Sequence, residues 1–209
     1  MVQIVLADHH PLTRIGIKDQ ILQANSSYSV IGEVAHGDKL LPTLKQKRPN
    51  LLVLELSMPG IDGFQILRDI KSKFPELKIV VFSSYPDEIY AQHCINSGAQ
   101  GYVHKTTSSK EFSKIIKSIV NGETYINKKI KKKNPENAAL ETIKDRYKKL
   151  SIRETEVLNL LLQGHRNKDI AVLLDINEKT VSTYKSRLLK KLKVNNLAKL
   201  INHTKALSI

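Results

Sequence analysis

Along the first 122 positions, apolar residues recur in two alternating rhythms. Short, nearly continuous apolar runs are VQIVLA (2–7), SVIGEVA (29–35), LLVLEL (51–56), KIVVFSS (78–84) and GYVHK (101–105). Between them lie PLTRIGIKDQILQAN, KLLPTLKQK, FQILRDIKSKF, DEIYAQHCINSG and SSKEFSKIIKSIVNG, where apolar positions return every three or four residues. Strands that are apolar throughout and joined by helical crossovers predict an α/β unit, a five-stranded parallel sheet covered by helices on both faces. The rim that meets a ligand in such a sheet lies at the carboxyl ends of the strands. The sequence places Asp8 and His9, Glu55, Ser83 and Ser84, and Lys105 there.

After Gly122 the strand rhythm stops. NKKIKKKNPENAAL, rich in Lys and Asn and holding a Pro, has the composition of a linker. Helical periodicity resumes near Leu140 and continues through TEVLNLLLQG, NKDIAVLLD, EKTVSTYKSRLLKKLK and NLAKLINHTK. The expected organisation is therefore an α/β domain over 1–122, a basic linker with a helix over 123–147, and an all-α domain over 148–209.

Charge sharpens this division. The 209 residues carry a formal net charge of +14. Residues 1–122 hold 14 basic and 11 acidic side chains, whereas 123–209 hold 20 basic and 9 acidic ones. A field concentrated in one part points to a polyanionic partner for that part, nucleic acid above all. Cys94 is the sole cysteine, which excludes a disulfide framework or a Cys-rich metal centre and argues for a reducing compartment, the cytoplasm. No stretch reads as a membrane span or a secretory leader, so no membrane partner is expected.

The combination of ADHHPLTRIG, LELSMPGIDG, FSS and SGAQGYVHK resembles the receiver domain of response regulators. LSIRETEVLNLLLQGHRNKDIAVLLDINEKTVSTYKSRLLKKLKV resembles a LuxR-type helix-turn-helix, and together they give the NarL/FixJ layout. The resemblance implies a doubly wound, flavodoxin-like first domain. It also implies a site built from two acids that hold Mg²⁺, a phosphoaccepting Asp, a Ser or Thr, and a Lys. Asp8, Ser83 and Lys105 match that pattern. His9 stands in place of the second acid, and Glu55 in place of the phosphoacceptor. Tyr102 occupies a position that the family uses as a rotamer switch coupled to the Ser83 position, although a half-buried strand aromatic is the ordinary role. His10 matches a structural histidine before the Pro.

Both departures alter the chemistry. Glu carries its carboxylate about 1.3–1.5 Å further out than Asp, the length of one carbon–carbon bond, and an offset near 1 Å costs about a hundredfold in a positioned reaction. Imidazole suits transition metals better than Mg²⁺. These changes argue against phosphorylation by a cognate histidine kinase, against Mg²⁺ binding, and for a chain that needs no cofactor. The reading is a receiver that acts without phosphorylation. Glu55 would be a partial phosphate mimic within reach of Lys105 and Ser83, and a protonated His9 would stand in for the absent cation. A silent dimerisation platform, control by another signal, and a transition-metal set of Asp8, His9 and Glu55 are alternatives.

In the second domain the resemblance implies binding to double-stranded DNA by a homodimer. Val181, Leu188 and Leu192 keep core spacing along the recognition helix and leave Ser182, Thr183 and Ser186 on its leading face as base readers, aided by Lys185. Lys168, Lys179, Thr180, Tyr184 and Lys191 are expected on phosphates. Leu197, Leu200 and Ile201 form a dimer seam or, equally, a small core. The expected function is a DNA-binding transcriptional regulator and not an enzyme, since a phosphatase on this sheet would lack its nucleophilic Asp. Two rivals are a protein that dimerises with or sequesters other regulators and a small-molecule quorum sensor, against which the receiver motifs argue.

Overall fold

The computed structural model describes residues 1–60, 63–127 and 145–206. Most of the expected linker and its helix, Ile61 and Asp62 of LELSMPGIDG, and the last three residues lie outside the described residues. The chain divides into two compact units, one formed by Met1–Asp87 and Ala91–Asn127, the other carrying the carboxyl-terminal helices.

In the first unit, β1 (Val2–Ala7), β2 (Tyr28–Val34), β3 (Leu51–Leu54), β4 (Lys78–Ser83) and β5 (Gly101–His104) pair in the order β2-β1-β3-β4-β5. Every pairing is parallel. The helices are α1 (Pro11–Ala24), α2 (Leu40–Lys47), α3 (Gly63–Lys73), α4 (Asp87–Asn96) and α5 (Ser109–Val120). Ile4, Leu6, Leu51, Val53, Val80 and Val103 share one core cluster with Ile17 and Ile21 of α1 and with Phe112, Ile115, Ile116 and Ile119 of α5. The alternate residues Val5, Leu52, Leu54, Ile79 and Val81 point to the opposite face and are equally buried, so both faces are covered. Each such side chain contributes about 1.5–3 kcal/mol when fully buried. At Gly101, which begins β5, an added Cβ would meet Ile119 Cδ1 and that side chain would have to move.

Strand order reverses between β1 and β3, and the carboxyl ends at such a switch point are where open parallel sheets place their sites. The register pairs Ala7 with Leu54, Leu54 with Val81, and Ser83 with His104. The Glu55 amide donates to the Ala7 carbonyl at 2.8 Å, which sets Asp8 and Glu55 side by side just beyond their strands. β3 ends one residue before Glu55, so Glu55 belongs to the rim rather than to LLVLEL as a strand.

The second unit contains α6 (Ile152–Leu162), α7 (Asn167–Leu173), α8 (Glu178–Leu192) and α9 (Leu197–Ala206). α6 begins three residues earlier than TEVLNLLLQG suggests, because Ser151 and Glu154 form a capping box. The Ser151 hydroxyl accepts from the Glu154 amide at 3.2 Å, and Glu154 Oε2 accepts from the Ser151 amide at 2.7 Å. Gly164, at φ 87, takes the left-handed position that ends α6. Asn177 caps α8 by accepting the Thr180 amide at 2.8 Å. Val181, Leu188 and Leu192 are buried, as their spacing requires. Among the described residues, no helix is long and apolar enough to cross a membrane.

Candidate functional site

The rim of the sheet gathers Asp8 after β1, Glu55 after β3, Ser83 at the end of β4 and Lys105 after β5. Glu55 is 2% exposed and each of its oxygens has a partner. Oε1 accepts from the Ser83 hydroxyl at 2.7 Å and from the Ser57 amide at 3.1 Å, while Oε2 lies 2.7 Å from Lys105 Nζ. Lys105 Nζ also donates to Asp8 Oδ2 at 2.7 Å. Asp8 Oδ1 accepts the His10 amide at 2.7 Å and lies 2.9 Å from His10 Nδ1. One ammonium thus bridges two buried carboxylates. Removing one partner of such a set costs about 3–5 kcal/mol, because a charge is left uncompensated out of water. Burial pushes the Asp8 carboxyl up, but Lys105 and the donors of His10 outweigh it and hold it below its ordinary value.

His9 behaves differently from the expectation of a protonated surrogate cation. Burial, followed by the neighbouring His10, lowers its pKa, and the carboxylates of Asp8 and Glu55 only partly oppose this. The neutral ring is favoured near neutrality, so His9 does not supply the missing positive charge. Lys105 does. His9 Nδ1 is buried without a hydrogen-bond partner, and its ring centroid lies 3.7 Å from that of His10. The partner of Asp8 is His10, which the sequence marks as a structural residue only. The repeated histidine of ADHH was the available signal, although adjacency alone does not say which ring turns to the carboxylate.

In the alternative metal set of Asp8, His9 and Glu55, both Glu55 oxygens are already taken. Among the described residues, the cluster with metal-ligating atoms within 4.8 Å of one another is Asp8, His9 and His10. This rim does not fit Mg²⁺. A hard cation needs several oxygen ligands, yet His9 offers nitrogen and the Lys105 ammonium already holds both carboxylates. Tyr102 is fully buried at 1% exposure rather than half-buried, and its hydroxyl donates to the Tyr85 carbonyl at 2.7 Å.

On α8, Ser182, Thr183 and Ser186 are exposed, Tyr184 and Lys185 are half-buried, and Lys168 and Lys179 are exposed at the starts of their helices. Several hydroxyls already have partners. Ser182 Oγ accepts from Asn167 Nδ2 at 3.1 Å, Thr183 Oγ1 donates to the Lys179 carbonyl at 3.0 Å, and Thr180 Oγ1 donates to Asn177 Oδ1 at 2.9 Å. Lys191, expected on a phosphate, already has partners within its own domain. Its Nζ lies 2.6 Å from Glu154 Oε2 and donates to the Lys149 carbonyl at 3.2 Å. Burial raises the Glu154 carboxyl, but Lys191 and Ser151 outweigh it and the net shift is downward. On α9, Leu200 is fully buried and so belongs to the core rather than to an external seam, whereas Leu197 and Ile201 remain half-buried.

Residues 4–117 match the response regulator receiver domain, and residues 148–204 match the luxR family of bacterial regulatory proteins. The chain belongs to the response regulators, and it is a DNA-binding transcriptional regulator of the two-component type. Its relatives are transcription regulators rather than enzymes. The virulence-factor transcription regulator BvgA of Bordetella pertussis is 34% identical over 203 residues, spanning 97% of this chain and 96% of BvgA. The oxygen regulatory protein NreC of Staphylococcus epidermidis is 31% identical over 210 residues, with 97% and 96% covered. Among solved structures, RcsB of Salmonella enterica serovar Typhimurium bound to promoter rprA in the presence of phosphomimetic BeF₃⁻ superposes with a TM-score of 0.81 at 26% identity, covering 97% of each chain. A structure of two RcsB dimers on two parallel DNAs gives 0.77 at 27% identity, again over 97% of each chain.

Proposed function

We propose that this regulator works without phosphorylation, with Glu55 at the position where the family carries its phosphoaccepting Asp. The observation that carries this reading is the simultaneous engagement of both Glu55 oxygens, one by Ser83 and the other by Lys105. Those are the groups that a phosphoryl oxygen on a shorter Asp would meet. Glu supplies about one negative charge, against about 1.5–2 for a phosphoryl group, so the mimicry is partial. The receiver spans 1–122, the linker 123–147 and the DNA-binding domain 148–209. The chain acts in the cytoplasm as a homodimer on double-stranded DNA, without a cognate histidine kinase, and the likeness to DNA-bound RcsB dimers supports that assembly.

Base reading falls to Ser182, Thr183 and Ser186. Phosphate contacts fall to Lys168, Lys179, Thr180, Tyr184 and Lys185, with Lys191 acting mainly as a clamp on Glu154. Leu197 and Ile201 line the dimer contact.

The test is a set of Glu55 substitutions read by DNA affinity and assembly state. Glu55→Gln keeps the shape and removes the charge, and should weaken dimeric DNA binding by about tenfold, within the usual range of coupling between two sites. Glu55→Ala should do so at least as strongly. Glu55→Asp alone should not gain Mg²⁺-dependent labelling by a small phosphodonor, whereas Glu55→Asp with His9→Asp should gain some. Uptake of a labile phosphoryl group at Glu55 by the unaltered chain would overturn the reading. If Glu55→Gln alters neither assembly nor DNA affinity, the receiver is a platform that only keeps its fold.

A further inference from the structure

We propose that Asp8, His9 and His10 form a binding site for a divalent transition-metal ion of the zinc or cobalt class, in the loop between β1 and α1. This goes beyond the phosphorylation-independent reading and does not require Glu55 to mimic a phosphoryl group.

Three observations converge on it. First, one carboxylate and two imidazoles bring their donor atoms within 4.8 Å of one another. Metal–nitrogen and metal–oxygen bonds of about 2.0–2.2 Å place tetrahedral donors about 3.4 Å apart, a contraction that small side-chain rotations supply. Second, His9 Nδ1 is buried and has no hydrogen-bond partner. A buried polar atom left in this way costs free energy, which a ligand bound at that nitrogen would relieve. Third, the three side chains are already held close together. The His9 and His10 rings lie 3.7 Å apart, and Asp8 is fixed by the His10 amide at 2.7 Å and by Lys105 at 2.7 Å.

The chemistry of the set selects the metal. Two imidazoles and one carboxylate suit zinc, cobalt, nickel or copper, and they suit magnesium poorly. Three protein ligands leave an open position for water or a fourth ligand. The His10 side chain is 53% exposed, which provides an entry path. Lys105 is the built-in competitor, because its ammonium lies 2.7 Å from Asp8 Oδ2 and 3.5 Å from His10 Nδ1. An arriving dication repels that ammonium and draws Asp8 from it, leaving Lys105 with Glu55. Metal binding would therefore reach the same ion network that holds the receiver, from the solvent side.

The experiment is a titration of the full chain, free of any affinity tag and stripped with a chelator, with cobalt(II) chloride, followed by visible ligand-field absorption. The expected result is a saturable band that zinc(II) abolishes and a large excess of magnesium(II) leaves in place. His9→Asn and His10→Asn should each weaken cobalt binding by at least about tenfold. Lys105→Gln should tighten it, whereas His36→Asn and His165→Asn should leave it unchanged. Circular dichroism reports whether each variant keeps its fold. Either single histidine variant carries the test if the other fails to fold. No band, a band that survives the loss of both histidines, or displacement by equimolar magnesium(II) would overturn the proposal. Any of these leaves the DNA affinity of metal-free Glu55→Gln untouched, so the two readings fail separately.

Discussion

Lys105 is a single cation shared by two carboxylates, and the rim therefore keeps one uncompensated negative charge when His9 is uncharged. That makes proton uptake at His9 a measurable event. His9 has an ordinary value of 6.5 in the unfolded chain and a lower one in the fold. As pH falls through 6.5, the unfolded chain takes the proton first, so stability is complete above 6.5 and declines below it. The slope from one such group is at most about 1.4 kcal/mol per pH unit. Urea unfolding should therefore show lower stability at about pH 5.5 than at about pH 7.5, and His9→Asn should shrink the difference. His93, also lowered by burial, accounts for a remainder. A pH-independent midpoint would contradict this assignment. Asp8 follows the other carboxylate pattern, stabilising above 3.8 and losing that contribution as pH falls through its depressed folded value. At this scale the sequence placed Asp8, Glu55, Ser83 and Lys105 together, because each terminates a strand of one parallel sheet. It did not reveal that His10 rather than His9 pairs with Asp8, since neighbouring rings on an extended segment are distinguished only by side-chain rotation.

Among the elements, α8 carries both a reading face and a structural tie. Lys191 and Glu154 join α8 to the first turn of α6 across 37 residues, a contact that no local pattern encodes. The apolar stripe of Val181, Leu188 and Leu192 was, by contrast, legible from spacing alone, whereas the Ser151–Glu154 box that starts α6 was not read from the sequence. The tie predicts a division of roles. Lys191→Ala should lower the stability of the helical unit by about 1 kcal/mol, a modest figure because the lysine is 40% exposed to solvent. Lys185→Ala should leave thermal unfolding unchanged and weaken binding to every DNA sequence alike. Equal thermal midpoints for these two variants would remove Lys191 from its clamping role. Thr183 gives its hydroxyl proton to the Lys179 carbonyl and so meets DNA through its methyl group and a spare acceptor lone pair. Thr183→Val keeps the methyl and should change the preferred base pair by about 1–3 kcal/mol. A competition between binding-site variants reads this directly, and a uniform loss across all sequences would take Thr183 off the base-reading face.

For the molecule as a whole, the uneven charge between its two parts is the feature most visible in the sequence, and it predicts steep salt dependence. If about six phosphates are neutralised, affinity should fall by roughly a thousandfold or more between about 50 and 200 mM salt. The isolated segment 148–209 should retain part of that binding, and truncation at Gly122 should abolish it. Retention on DNA that ignores salt would contradict the assignment. Fluorescence anisotropy across a salt series is sufficient to decide. The strand order also bears on how the chain is made. In β2-β1-β3-β4-β5, each strand after β2 docks on an edge already present, β3 on β1, then β4, then β5, and none must wedge between two paired neighbours. The sheet can thus grow outward as the ribosome delivers it. Until Gly101–His104 emerges, β4 remains an open edge that another nascent chain could extend. Parallel pairing across crossover helices is slow compared with helix formation. β4 is thus an unpaired edge from its synthesis until that of β5, well before the basic helices leave the exit tunnel.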